Sequence, residues 1–315
     1  MRPLKTLRRP LRTRSAPTFA IALATAATIT APPIAAADAS ATTLAQTPAG
    51  GSASPATTHE FTPQQRQQAL SYWTEKRMRQ VGRDLDLGPT GPLTRPWTGA
   101  EMPTVGRLFF VNADGADTWC TATAVVSKNQ SVVMTAGHCV QRGSSIPENH
   151  STRVVFVPGY DRGERPYGVF AARAALTPDT WTNDSTNDVA AIVVDRGYGG
   201  ELTEQVGGQA VAFDREVGGH ITAFGYPATR PQLGGELLYC SGTAEPAPEN
   251  EQRIPCDIGG GASGGPWLAD IDERTGLGAL VSVNSHGTDP EHSTHMYGPV
   301  LGTAAREVYE AAARM

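Results

Sequence analysis

The chain has 315 residues, with 26 Lys and Arg against 31 Asp and Glu and a formal net charge of -5. That balance offers no clustered basic face of the kind nucleic-acid binders carry, so nucleic acid is excluded as a partner. Four cysteines, an even number, suit a protein that folds in an oxidising compartment, and residues 103–315 suffice for a substantial core.

Residues 1–37 open on basic residues from Arg2 to Arg14, continue as an Ala/Thr/Ile run from Pro17 to Thr30 and reach Ala35-Ala36-Ala37. This is the pattern of a secretory signal peptide cleaved after Ala37, with Arg8-Arg9 raising a twin-arginine signal as an alternative route. The run is too short and too rich in Ala and Thr to span a bilayer, and Pro32-Pro33 interrupts it. The expected mature form is therefore secreted, without a membrane anchor.

Residues 38–102 read as a pro-segment. Asp38 to Thr58 is Ala, Thr, Ser, Pro and Gly with almost no charge, a composition that predicts disorder because little apolar surface offsets the ordering entropy. Thr62-Pro63-Gln64-Gln65 then supplies an N-cap, a Pro at the first helical position and a Gln at the third. Ala69, Leu70, Trp73 and Val81 follow at helical spacing, predicting one helix that ends near Gly82. Such a helix is either a propeptide element that shields a site or a plain linker.

From Val105 the pattern changes to short apolar runs between turn residues: 106–111, 121–127, 131–135, 153–157, 189–194, 220–224 and 280–284. Many short strands of this kind predict an all-β barrel or sandwich. A last Ala-rich amphipathic stretch, Thr303 to Arg314, predicts a helix packed on the outside as a terminal clamp. Cys120, Cys139, Cys240 and Cys256 permit three pairings; 120 with 139 and 240 with 256 is favoured, since each closes a short loop worth about 3 kcal/mol in the chain-entropy model. No C-x-x-C occurs and the spacings fit no common zinc cluster, so neither metal nor cofactor is expected.

Three segments carry chemistry. Val132-Val133-Met134-Thr135-Ala136-Gly137-His138-Cys139 leads an apolar strand into a histidine beside a cysteine. Asn187-Asp188-Val189-Ala190-Ala191-Ile192-Val193 puts an aspartate at the mouth of a buried strand, and Gly261-Ala262-Ser263-Gly264-Gly265-Pro266-Trp267 sets a serine among glycines. Hydrolysis by a serine needs a base for its hydroxyl, an acid that orients the base and donors for the oxyanion, and these segments contain all of them.

In this order the three segments resemble the His, Asp and Ser motifs of chymotrypsin-like serine peptidases over about Val105 to Met315. Val157-Pro158-Gly159-Tyr160, Phe224-Gly225-Tyr226-Pro227 and Met296-Tyr297-Gly298-Pro299 resemble the secreted bacterial V8-like, glutamyl-endopeptidase-related group. The resemblance implies an all-β fold of two antiparallel six-stranded barrels, at about 103–200 and 201–300, with a C-terminal helix. It also implies a monomeric endopeptidase acting on proteins or peptides through an acyl-enzyme. Ser263 would be the nucleophile, His138 the general base and later acid, and Asp188 the group that holds the imidazole tautomer. The amides of Gly261 and Ser263 would form the oxyanion hole, and Ser285, His286 and Gly287 the substrate-binding edge, with Ser285 also touching Asp188.

Ala262 departs from the digestive members of the family, which carry an Asp there that pairs with a newly freed amino terminus. No I-V-G-G-like start precedes the first strand either, so that activation route is not expected. Removal of the segment before about Pro103 remains a way to unmask the cleft. Asp257, six residues before Ser263, stands where trypsin-like relatives hold the acid that receives Arg or Lys, and that preference leads slightly. Against it stand a Glu preference with His286 supplying positive charge, and a plain turn brace beside Cys256.

Two other functions compete: a catalytically silent homologue that binds through its cleft, and an esterase, because Gly261 to Gly265 also satisfies G-x-S-x-G. The esterase fold needs an acid and then a His after the serine, with alternating helices and parallel strands, and only a short stretch follows Ser263. His59, His150, His220, His292 and His295 lack a comparable context, and Asp270, Asp272 and Glu273 read as a solvated hairpin turn rather than a calcium site.

Overall fold

The computed structural model describes residues 56–81, 85–143, 146–182, 186–288 and 293–315. The expected signal peptide, most of the low-complexity stretch, the expected helix end at Gly82 and His292 lie outside them. Along the chain come β1 (Ala56–Glu60), α1 (Pro63–Tyr72), α2 (Glu75–Gln80), the short β2 (Arg95–Pro96), β3 (Val105–Val111), β4 (Asp117–Ala124), β5 (Val132–Thr135), β6 (Thr152–Pro158), β7 (Phe170–Pro178) and β8 (Ala190–Val194). Antiparallel pairing in the order β3-β4-β5-β8-β7-β6 returns to β3 and closes a six-stranded barrel.

The second half contains α3 (Leu202–Val206), β9 (Ala210–Val211), β10 (His220–Gly225), β11 (Leu238–Thr243), β12 (Glu245–Ala247), β13 (Glu251–Pro255), β14 (Pro266–Asp272), β15 (Leu277–Val283), β16 (His286–Gly287), β17 (His295–Pro299) and α4 (Thr303–Arg314). These strands form two sheets, β2-β11-β10-β14-β15-β9 and β12-β13-β17-β16. Ile221, Leu238, Ile254, Ile258, Trp267, Val281 and Met296 form their shared core. The architecture is the expected all-β double barrel with a C-terminal helix. Its second half is built as two sheets, and β9 joins by a parallel pairing to β15. Antiparallel sheets without alternating helices are incompatible with the α/β-hydrolase esterase, which is set aside.

Helix α4 leaves the second half and packs on β5, β7 and β8 of the first barrel, burying Ala305, Val308 and Ala312. Its cover explains why β5 and β8 read as unbroken apolar runs: both faces of these strands are buried. Tyr309 Oη donates to the Val126 carbonyl at 2.6 Å, and Asn129 Nδ2 to the Ala312 carbonyl at 2.8 Å, fixing the clamp.

The region before residue 103 differs from expectation in three respects. Ala56–Thr58, expected to be disordered, start β1, which pairs antiparallel with Ala174–Pro178 of β7. Two helices stand in place of one, because Thr74 caps α2 through its side chain and Trp73 leaves the helical path to bury its ring. Trp73 lies 5.3 Å from Phe109, ring to ring, and donates its Nε1 hydrogen to the Arg153 carbonyl at 2.6 Å. Leu70, assigned to the apolar face, is exposed, while Ala69 and Met78 are buried.

Candidate active site

Strand β5 ends at Thr135, and a tight turn over Gly137–Cys139 carries His138 to the cleft. The Cys120–Cys139 disulfide pins that turn to β4. Asp188 precedes β8, the neighbour of β5, so strand pairing alone brings the two segments together. His138 Nδ1 lies 2.8 Å from Asp188 Oδ2, and the His138 amide donates to Asp188 Oδ1 at 2.9 Å. Ser285 Oγ, from the second half, donates to Asp188 Oδ2 at 2.5 Å. Asp188 is buried and these three donors hold it.

Burial pushes the Asp188 carboxyl up, but the charge and hydrogen bond of His138, with those from Ser285 and the His138 amide, outweigh it and leave it below its ordinary value. Burial likewise pulls the His138 imidazole down, and the adjacent Asp188 carboxylate reverses this, holding it above its ordinary value. The pair therefore favours an ionised Asp188 beside an imidazole that takes a proton readily. His138 and Ser263 line one cleft of about 290 Å³, bordered by Cys120 and Gly261.

The turn around Ser263 follows from its glycines. Gly261 has φ +90°, and a Cβ there would sit 2.8 Å from the Tyr226 carbonyl and 2.9 Å from the Trp119 ring. At Gly264, with φ +75°, a Cβ would fall 2.0 Å from Thr135 Oγ1. Glycine is required at both places. Thr121 stitches the turn to the first barrel: its amide donates to the Ser263 carbonyl at 2.8 Å, and its hydroxyl donates to the Gly261 carbonyl at 3.0 Å while accepting from the Tyr226 amide at 2.9 Å. Among the described residues, the amides of Gly261 and Ser263 donate to no protein acceptor.

On the other side of Ser263 opens a cavity of about 1150 Å³, lined by Asp257, Ser285, His286 and Gly287 together with Leu87 and Leu93. Asp257 faces the segment before residue 103: Oδ1 accepts from Thr94 Oγ1 at 2.6 Å and Oδ2 from the Leu93 amide at 2.9 Å. His286 stacks on Tyr297 at 4.8 Å, and its Nε2 lies 3.1 Å from the buried carboxylate of Glu251. The hydrogen bond to Glu251 raises the His286 pKa against the opposing pull of burial, so any positive charge on the ring is matched by Glu251.

Cys240–Cys256 is the second disulfide, next to Asp257. Among the described residues, the only cluster with metal-ligand geometry is Cys120, His138 and Cys139, and both its cysteines are disulfide-bonded. No helix among the described residues is long and apolar enough to cross a membrane.

Sequence reasoning passed over Thr121, Trp119, Arg107 and Asn284. Arg107 is buried with its guanidinium 3.9 Å above the Trp119 ring and within 4.7 Å of Phe109 and Tyr160, and it donates to the Gly234 carbonyl at 3.2 Å. An Arg within an otherwise apolar strand, Val105-Gly106-Arg107-Leu108, was the only available signal.

Residues 121–277 match the family model described as a trypsin-like peptidase domain. Among solved structures, the protease Anisep from Arthrobacter nicotinovorans is 36% identical, with a TM-score of 0.64 over 70% of this chain and 100% of that one. The thermostable serine protease AL20 from an extremophilic microorganism is 38% identical, with a TM-score of 0.61 over 68% of this chain and 98% of that one. A Glu endopeptidase in complex with MPD, at 20% identity and a TM-score of 0.58 over 72% of this chain and 99% of that one, shares the fold. No curated protein sequence matches the chain. With a family model that matches around its serine motif and two solved proteases at 36% and 38% identity along almost their whole length, the chain belongs to the trypsin-like, chymotrypsin-fold serine peptidases.

Proposed function

We propose that this peptidase is a secreted serine endopeptidase in which Ser263, His138 and Asp188 act as a triad through an acyl-enzyme. One observation carries the reading: the 2.8 Å bond between His138 Nδ1 and the buried Asp188 carboxylate, in the cleft that Ser263 shares. With Nδ1–H committed to Asp188, the imidazole presents Nε2 as the base. Ser263 Oγ attacks the scissile carbonyl carbon as Nε2 takes its proton, and the oxyanion is received by the Gly261 and Ser263 amides. The tetrahedral adduct collapses as the imidazolium protonates the leaving amine, and water, activated by the same nitrogen, then hydrolyses the ester.

Residues 1–37 as a signal and the two disulfides fit secretion into an oxidising compartment. The acting form is taken as a monomer on protein or peptide substrates. Digestion of a complex peptide mixture by the parent and by Ser263→Ala, with cleavage sites read by mass spectrometry, tests the proposal. Cuts that vanish in the variant are expected. An intact, folded parent that cuts nothing supports the silent binding homologue instead.

A further inference from the structure

We infer that Asn284 is the positioning residue that holds the nucleophile turn in its reactive form, so that the turn needs no charge at position 262 and no freed amino terminus. This rests on the reading of Ser263 as nucleophile.

Asn284 is completely buried where β15 ends. Its Nδ2 donates to the Ala262 carbonyl and to the Phe224 carbonyl, both at 2.8 Å, while Oδ1 accepts from Trp267 Nε1 at 2.7 Å. Two carbonyl acceptors and one indole donor permit a single orientation of the amide and employ both its donors. Its backbone closes the same turn, since the Asn284 amide donates to the Gly265 carbonyl at 2.9 Å and its carbonyl accepts from the Gly264 amide at 2.7 Å. One residue thus grips positions 262, 264 and 265 and ties them to β10 and β14.

Ala262 itself is buried, and it packs so tightly on Gly225 that a Cβ on that glycine would lie 2.5 Å from the Ala262 methyl. The methyl can make no ionic contact. The carbonyl that Asn284 holds belongs to the residue directly before Ser263 and also accepts from the Gly265 amide at 2.9 Å, so losing the Asn284 donor leaves one hydrogen bond of two and loosens the peptide that orients the Ser263 amide. Such release weakens transition-state stabilisation more than substrate binding.

The test compares the parent, Ser263→Ala, Asn284→Asp and Asn284→Leu. A fluorophosphonate probe reads serine reactivity, a peptide amide substrate gives kcat and KM across pH, and thermal melting reports the folded fraction. An ionised Asp at 284 turns both oxygens to acceptors against two carbonyls and grips the turn only when protonated. Labelling and kcat are expected to fall about 100-fold in the Leu variant at every pH, as for loss of one oxyanion donor, and to fall in the Asp variant only as pH rises far enough to ionise a carboxyl whose pKa burial pushes up, with KM little changed. The Asp variant alone should regain activity relative to the parent as pH falls. Near-parental labelling by the folded Leu variant, or equal losses in the two variants at every pH, overturns the inference by itself. A folded parent that the probe does not label overturns the assignment of Ser263, and this inference with it. Should the Leu variant fail to fold, the pH dependence of the Asp variant decides.

Discussion

At the residue scale, the proposed base His138 and the carboxylate beside it give the triad reading its tests in rate and pH dependence. Asp188→Asn leaves the turn in place but lets the wrong imidazole tautomer accumulate, and kcat is expected to fall about 10⁴-fold, as measured for that substitution in the trypsin-type triad. Single-turnover kinetics on an activated ester and a peptide amide check it. Because Asp188 holds the His138 pKa above its ordinary value, the imidazole is neutral, as the proposed base must be, only above that raised value. The acid limb of kcat/KM is expected to have its midpoint above about 6.5, the ordinary histidine value, and removal of the Asp188 charge should lower it.

Arg107 presents the opposite situation. Burial lowers it to about 10, and no carboxylate among the described residues pairs with it, so its charge costs stability at neutral pH. Arg107→Met keeps the packing volume and should leave the urea midpoint unchanged or higher. Arg107→Ala should lower it, through the cavity left under Trp119.

At the element scale, the interest lies before residue 103. β1, Trp73 and Met78 are built into the first barrel, and β2 pairs with β11 of the second half. Trp73→Ala is expected to cost about 3–5 kcal/mol in urea unfolding, the range for deleting a buried aromatic ring. The strands legible in the sequence were those rich in Val, Ile and Phe, such as Val132–Thr135 and Ala190–Val194. Strand β7, Phe-Ala-Ala-Arg-Ala-Ala-Leu-Thr-Pro, was not, because an alanine-rich run has helical propensity, and only its pairing with β1, β6 and β8 makes it a strand. The single helix expected to end near Gly82 failed at Trp73 for a similar reason, as burial of the indole outweighed continuation of the helix.

At the scale of the molecule, the cleft lies where the halves meet, and the segment around Leu87 to Thr94 forms one wall of the larger cavity. Thr94 and the Leu93 amide occupy the Asp257 carboxylate in the full chain. Thr94→Val, which removes the Oδ1 partner of Asp257, should shift cleavage toward sites after Arg and Lys relative to the parent, and adding Asp257→Asn should abolish the difference. Cleavage-site profiling of the three proteins measures this. The sequence by itself determined the β class, the terminal helix and the candidate triad segments, and favoured one of three disulfide pairings, because each is written in short-range pattern: short apolar runs between turn residues, loop length, glycines around a serine. Tertiary structure alone decided that Asp257 is covered, that Glu251 answers His286 and that Asn284 grips the turn around Ser263. Each of these depends on a polar partner far away in the chain, and burial, which makes such a partner obligatory, is a property of the folded molecule.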